Sequence, residues 1–310
     1  MNGTVHPRDP IAGTVDDDGP SALQLDGSLV ICTRNRADQL VQCLESLTVL
    51  DAIEHWELVL VDNGSTDHTR AVIDAFGARY PHRLVVIHER RPGLGRARNA
   101  GLAAARGPLI AFTDDDCYPA GDFLVELKRV FEDEGVGYLG GRILLHNPDD
   151  APVSIRLTPK PWPIPAYSFV HTGLIQGANM ACRRALVDSI GGFDEDFGAG
   201  TPFPAEDVEF IARASAAGWH GGYFPGPTVS HDHGRRGDHV VRHLFRQYDL
   251  GRGAYLAKFI LRSDTRGLYS RHWYWSINLR RGKRRLRNEV QGALHYLCWR
   301  AWRRLFGPRA

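Results

Sequence analysis

The chain has 310 residues, 43% of them hydrophobic, which is enough for one large core with or without an appendage. Its formal charge of +2 is nearly neutral and points to no nucleic-acid partner. Charge is nevertheless sorted: Asp114, Asp115 and Asp116, the 194–196 triplet and Glu206-Asp207 are acidic, whereas the end from Arg280 to Arg309 is strongly basic. Five scattered cysteines without CxxC spacing argue against a disulfide framework or a zinc site and fit a reducing compartment. No stretch reaches the roughly 18 apolar residues of a membrane span, and no basic-then-apolar leader opens the chain. The expected location is the cytoplasm, or the cytoplasmic face of a membrane.

Residues 1–27 are rich in Gly, Pro and Asp without periodicity and read as a disordered lead-in. Strand and helix patterns then alternate. Strands are expected at 28–33 (SLVICT), 57–61 (ELVLV), 83–88 and 108–113 (PLIAFT). Helices are expected at 37–50, at 66–76 with a cap near Ser65, and at 95–105, stopped by Gly107. This order implies a mainly parallel sheet with helices on its faces. The second half is less regular. A Pro-rich loop spans 151–166, and short helices are expected at 183–190 and 205–217. Short strands follow at 221–224 and 228–231, then a long helix at about 238–261.

In sheets of this kind, ligands bind beyond the carboxyl ends of the strands. Those ends carry Thr33-Arg34, Asp62-Asn63 and Asp114-Asp115-Asp116. Carboxylates on one loop suit a hard cation that takes oxygen ligands and shares them with phosphates; a solvated acidic turn or helix cap is the competing reading. Asp62 can accept from a base N–H or a ribose hydroxyl, or simply close an Asx-turn. The run 93–99 (GLGRARN) departs from GxGxxG at Arg98. It leaves a Gly turn and a helix start flanked by Arg96 and Arg98, which suits a diphosphate or a plain basic face. Glu206-Asp207 opens a helix, as a cap or as a general base. His231-Asp232-His233 offers an imidazole to a metal begun by Asp116, or surface polarity.

At the end of the chain, Leu286, Val290, Leu294, Leu297 and Leu305 fall at helix-like intervals. Arg284, Arg285, Arg287, Arg300, Arg303 and Arg304 lie among them, with Trp273, Trp275, Trp299 and Trp302 flanking or joining the run. A basic helix with Trp at its edge suits an anionic membrane surface. A helix packed on the core and a dimer contact are the alternatives.

Together ICTRNR (31–36), LVDNGSTD (60–67), GRARNAGLAAARG (95–107), FTDDD (112–116) and PAED (204–207) before a late His resemble a family 2 glycosyltransferase. The resemblance covers about 28–233. It implies an α/β GT-A fold, with a nucleotide-binding half at 28–118, an acceptor half at 119–262 and a basic helical extension at 263–310. It also implies site residues: Thr33, Arg34, Asp62, Arg98, Asn99, Asp114 and Asp115 toward the nucleotide-sugar; Asp114, Asp116 and His231 (His233 in reserve) on Mn2+ or Mg2+; Asp207 as base; and Gln176, Asn179 and Glu206 on the acceptor side. The implied reaction is inverting transfer from a UDP-, dTDP- or GDP-sugar to a saccharide or lipid-linked acceptor. Arg34 stands where the family often has an aromatic residue, and the QxxRW motif of processive synthases is missing, since 247–253 reads QYDLGRG. A metal-dependent sugar nucleotidyltransferase and a non-catalytic nucleotide-sugar-binding scaffold are the competing functions.

Overall fold

The computed structural model describes residues 25–278 and 283–307. The expected disordered lead-in lies outside the described residues as far as residue 24. From Asp26 the chain is tied down: the Asp26 amide donates to the His55 carbonyl (2.8 Å), and Lys128 Nζ donates to its carboxylate (2.8 Å).

The first half alternates as expected: β1 (Gly27–Thr33), α1 (Ala37–Leu47), β2 (Trp56–Asp62), α2 (Thr69–Gly77), β3 (Leu84–His88), α3 (Leu94–Ala104) and β4 (Leu109–Asp114). These strands pair in parallel in the order β3-β2-β1-β4. Their side chains alternate between two cores. Val30, Val59, Val61, Ile110 and Phe112 enter one; Leu29, Ile31, Leu58, Leu60 and Ala111 enter the other. Both faces are covered, so the strands read as continuous apolar runs. α2 starts three residues later than expected. The Ser65 and Thr66 amides are taken by Asp62 Oδ1 (2.9 Å) and Asn35 Oδ1 (2.7 Å), while Asp67 receives the Thr69 amide (3.0 Å) from outside the helix.

The second half holds β5 (Cys117–Pro119), α4 (Phe123–Glu134), β6 (Tyr138–Leu145), β7 (Trp162–Ile164), β8 (Asn179–Arg183), α5 (Arg184–Ile190), α6 (Glu206–Ala216) and β9 (Gly221–His231). The sheet continues past β4 through β8, β6 and β9 to β5, with β7 also pairing β9. Here β4-β8, β6-β8, β5-β9 and β7-β9 are antiparallel, and only β6-β9 is parallel. The sheet is therefore parallel in its first half and mixed as a whole. The two short strands expected at 221–231 are one strand, irregular opposite Gly140 and Arg142.

Three helices follow: α7 (Asp238–Ile260), α8 (Arg266–Asn278) and α9 (Lys283–Phe306). None of the described helices is long and apolar enough to cross a membrane. α9 packs along α7 at close range. A Cβ on Gly253 of α7 would overlap the Glu289 carbonyl, and one on Gly292 of α9 would overlap the Leu250 carbonyl. Ala293 and Tyr296 of α9 belong to the same core as α3, α6 and α7. The extension is thus built into that core.

Candidate active site

Strand register gathers the first set of polar groups. Thr33 lies opposite Asp62, Asp62 opposite His88, and Cys32 opposite Asp114. Thr33 Oγ1 donates to Asp115 Oδ2 (2.6 Å). Asp62 is buried, accepts the Ser65 amide, and lies 3.4 Å from His88 Nδ1. Arg34 is exposed, so it stands at the rim. Its neighbour Arg36, within the same ICTRNR run but without an assigned role in the sequence, holds the triplet together: its Nε is 2.9 Å from Asp115 and its Nη2 2.6 Å from Asp116.

His231 arrives from the far end of the chain. β9 pairs with β5 so that His231 faces Cys117, directly after the triplet. His231 Nε2 is 3.3 Å from Asp116 Oδ1. His233 is committed elsewhere: its Nδ1 lies 3.4 Å from the buried Asp150 and accepts the Arg235 amide (3.0 Å). Of the two imidazoles, His231 is the one at the triplet.

The second set lies at the start of α6. Asp207 Oδ2 accepts the Gly177 amide (3.0 Å), and Asp207 Oδ1 accepts the Val208 amide (2.7 Å). Arg98 joins the two sets. Its Nη1 is 2.8 Å from Glu206 Oε1 and its Nη2 3.4 Å from Asp114 Oδ1, with the guanidinium over Phe193. Position 177 must be glycine for this, because a Cβ there would overlap the Arg98 guanidinium. Arg98 is almost fully buried and both its ends are occupied. It links the acidic triplet to the acidic pair at the start of α6.

Asn99 and Asn179, two further expected site residues, have side chains that bond to backbone groups. The Asn99 amide is spent on the Phe193 backbone, donating to its carbonyl (2.9 Å) and accepting its N–H (2.7 Å). The Asn179 side chain donates to the Arg142 and Pro227 carbonyls (2.9 and 3.1 Å), pinning β8 to its neighbours. Gln176 stays half-buried at the turn leading to Gly177.

The segment carrying Glu206 and Asp207 is held by the C-terminal helix. Phe203 packs against His295, Tyr296 and Trp299 of α9, with ring centroids 5.0, 5.5 and 6.4 Å away. Arg303 of α9 pairs with Asp196. Ala205, just before α6, sits at φ +91°, a left-handed backbone that persists only where surroundings hold it. No local signal in the sequence joined α9 to the acidic pair.

The electrostatics follow from burial. It lifts the Asp115 carboxyl to about 7 against the pull of Arg36 and Thr33, and lifts Glu206 to about 7 despite Arg98. Asp207 is likewise raised by burial, with Arg98 opposing. Burial also disfavours the Asp116 anion, but His231 and Arg36 outweigh it and hold that carboxyl below its usual range. Asp116 therefore stays ionised.

Asp114, Asp116, Cys117 and His231 bring one ligand atom each within 4.8 Å of one another. Burial pushes the Cys117 thiol well above its usual range, so it is neutral and a poor ligand for a hard cation. The remaining carboxylate–imidazole set fits Mn2+ or Mg2+. The His231 Nδ1 atom is buried with no hydrogen-bond partner, as a ring waiting for a further contact would be. The cluster also holds five carboxylates (Asp114, Asp115, Asp116, Glu206 and Asp207) against the guanidiniums of Arg36 and Arg98, an imbalance that a divalent cation relieves.

A parallel first half, an acidic triplet at its edge and a carboxylate pair joined to it through Arg98 form the site of an α/β enzyme. Residues 28–191, more than half of the chain, match the family described as Glycosyl transferase family 2. The chain belongs to that family and is a glycosyltransferase. Glycosyltransferase AglE of Haloferax volcanii is 25% identical over 231 residues, 73% of this chain and 72% of its own length. The pre-mycofactocin glycosyltransferase of Mycobacterium tuberculosis is 31% identical over 242 residues, 75% of this chain and 46% of its own, so this chain spans under half of that relative. Among solved structures, a mannosyltransferase from Pyrobaculum calidifontis in complex with GDP-Man and Mn2+ superposes with a TM-score of 0.62 at 20% identity, covering 94% of this chain and 80% of that one. S. aureus TarS 1–349 in complex with UDP-GlcNAc gives 0.58 at 18% identity, covering 86% and 78%. These two share the fold.

Proposed function

We propose that the chain moves a sugar from a UDP-, dTDP- or GDP-sugar to a hydroxyl of a saccharide or lipid-linked acceptor, with inversion, in cell-envelope, polysaccharide or glycoconjugate synthesis. The observation that carries this reading is the Arg98 link. Arg98 pairs with Asp114 of the triplet and with Glu206, the chain neighbour of Asp207, whose carboxylate is oriented by the Gly177 amide. The donor nucleotide is assigned to the strand ends, with Asp62 receiving base or ribose hydrogens and Arg36 facing the phosphates. Asp114, Asp116 and His231 would hold Mn2+ or Mg2+, which supplies positive charge against the departing diphosphate when bound.

Asp207 takes the proton of the acceptor hydroxyl. The hydroxyl oxygen bonds to the anomeric carbon from the face opposite the diphosphate. The bond from that carbon to the phosphate oxygen breaks, and the nucleoside diphosphate leaves with the electron pair. A carboxylate raised toward neutrality by burial is a stronger base than an exposed one and suits this work. The cysteines among the described residues are all free thiols, which supports a cytoplasmic setting.

Asp207→Asn tests the assignment. Transfer is expected to fall by about 10²- to 10⁴-fold, while thermal stabilisation by nucleoside diphosphate with Mn2+ is retained. Transfer at the wild-type rate would remove Asp207 as the base.

A further inference from the structure

α9 has two faces of different character. Its inner face carries Asn288, Glu289, Gly292, Ala293 and Tyr296, all buried against α7 and the core. Its cations on that side are neutralised: Arg285 pairs with Asp249 and Glu289, and Arg303 with Asp196. The outer face presents Val290, Leu294, Leu297 and Leu305 at spacings that fall in one stripe along a helix. All are exposed, Leu294 at 57% and Leu305 at 76%. A continuous solvated stripe of this kind marks a binding face.

Beside the stripe, Arg287, Asn288 and Gln291 of α9 meet Arg246 of α7 in a cleft of about 240 Å³. Neither Arg246 nor Arg287 is paired with a carboxylate among the described residues. They stand one helix apart, facing a cleft whose other walls are uncharged amides. Two open guanidiniums beside an apolar stripe match a phosphate headgroup beside acyl chains, since guanidinium binds phosphate through paired N–H donors. Trp275 of α8 is exposed, whereas the other three tail tryptophans are engaged within the fold. Trp273 and Trp299 pack against the core, Trp273 donates to Glu289, and Trp302 stacks on Trp299.

We propose that the outer face of α9, with the Arg246–Arg287 cleft, docks on an anionic phospholipid surface. The arginines take headgroup phosphates, and Val290, Leu294, Leu297 and Leu305 enter the headgroup–acyl boundary. This differs from a contact made by the basic tail as a whole, because Arg285 and Arg303 are paired on the inner side. Arg280, Arg281 and the end beyond Gly307 lie outside the described residues, as does the Arg284 side chain, and the proposal does not use them.

The test is co-sedimentation of the full chain with vesicles of phosphatidylcholine alone or with about 30% phosphatidylglycerol. Deleting the tail would not serve, because α9 completes the core. The wild type should pellet with the anionic vesicles only, and less so at high salt. The double variant Arg246→Gln/Arg287→Gln should lower partition about 30-fold. Leu294→Ser/Leu305→Ser should lower partition at every salt concentration. Both pairs are exposed, so the thermal melting curve should not move, and a shift in it would be matched by checking single variants. Equal pelleting with both vesicle types, or unchanged pelleting of both variants, would overturn the proposal. So would a dimer by light scattering that Leu294→Ser converts to monomer, since the stripe would then belong to a second copy. None of these readouts depends on transfer activity.

Discussion

The proposed donor edge and the acidic pair on α6 are assembled in different ways. The first is made by strand ends. Each of Thr33, Asp62 and Asp114 follows its own apolar run, and parallel register alone brings them level. The acidic pair is set by distant contacts: Gly177 before β8, Phe203 under α9, and Arg98 from α3. A change at the strand ends should therefore touch chemistry more than folding. A change on the other side should touch both.

The largest separation is expected from Asp116→Ala. It removes one ligand of the cation set, and transfer should fall on the order of 10²-fold or more. Some stability should be lost with it, about 1–3 kcal/mol, because Arg36 and His231 lose the buried carboxylate that they pair with. Rate against added Mn2+, with a melting curve alongside, checks this; a variant that unfolds would place Asp116 with the structural residues.

Arg98→Met comes next. It strips the cation from Glu206 and Asp114 in a buried setting, and should destabilise the chain by about 3–5 kcal/mol in a denaturant titration. Arg36→Met, at a half-exposed site, should cost under about 1 kcal/mol. Equal losses for the two arginines would break the distinction between a linking and an edge residue.

Asn99→Ala should cost about 1–3 kcal/mol, because it leaves the Phe193 N–H and carbonyl without their partner. The donor KM should not change. A raised donor KM at wild-type stability would return Asn99 to the nucleotide side.

The smallest effect is on pH dependence. Transfer needs Asp207 unprotonated, and burial raises its carboxyl. The rate is then complete above that raised value and falls as pH drops through it. The acid limb of kcat/KM should lie above the ordinary carboxylate value of about 4. A limb at or below that value would put another group in the base's role.

Much of the first half was legible because its signals are local. Buried parallel strands are continuous apolar runs, and ELVLV and PLIAFT cannot be mistaken for surface segments. Boundaries slipped where side chains competed for backbone groups, as Asp62 and Asn35 did before α2. β5, β6 and β8 escaped notice for another reason. They are short or interrupted by Gly140 and Gly141, and they pair with strands far away in sequence.

By itself, the sequence determined the alternation of the first half, the acidic triplet at a strand end, the late histidine and the acidic pair opening a helix. Spacing and strand-end position are properties of a single segment and can be read along the chain. Tertiary structure alone decided which groups those side chains serve. It turned Arg98 inward as a link, gave Arg36 the triplet, spent Asn99 and Asn179 on backbone groups, and divided α9 between a face that holds the acidic loop and a face open to solvent. Buried polar atoms must find partners. Which partners they find depends on elements that meet only once the chain has folded.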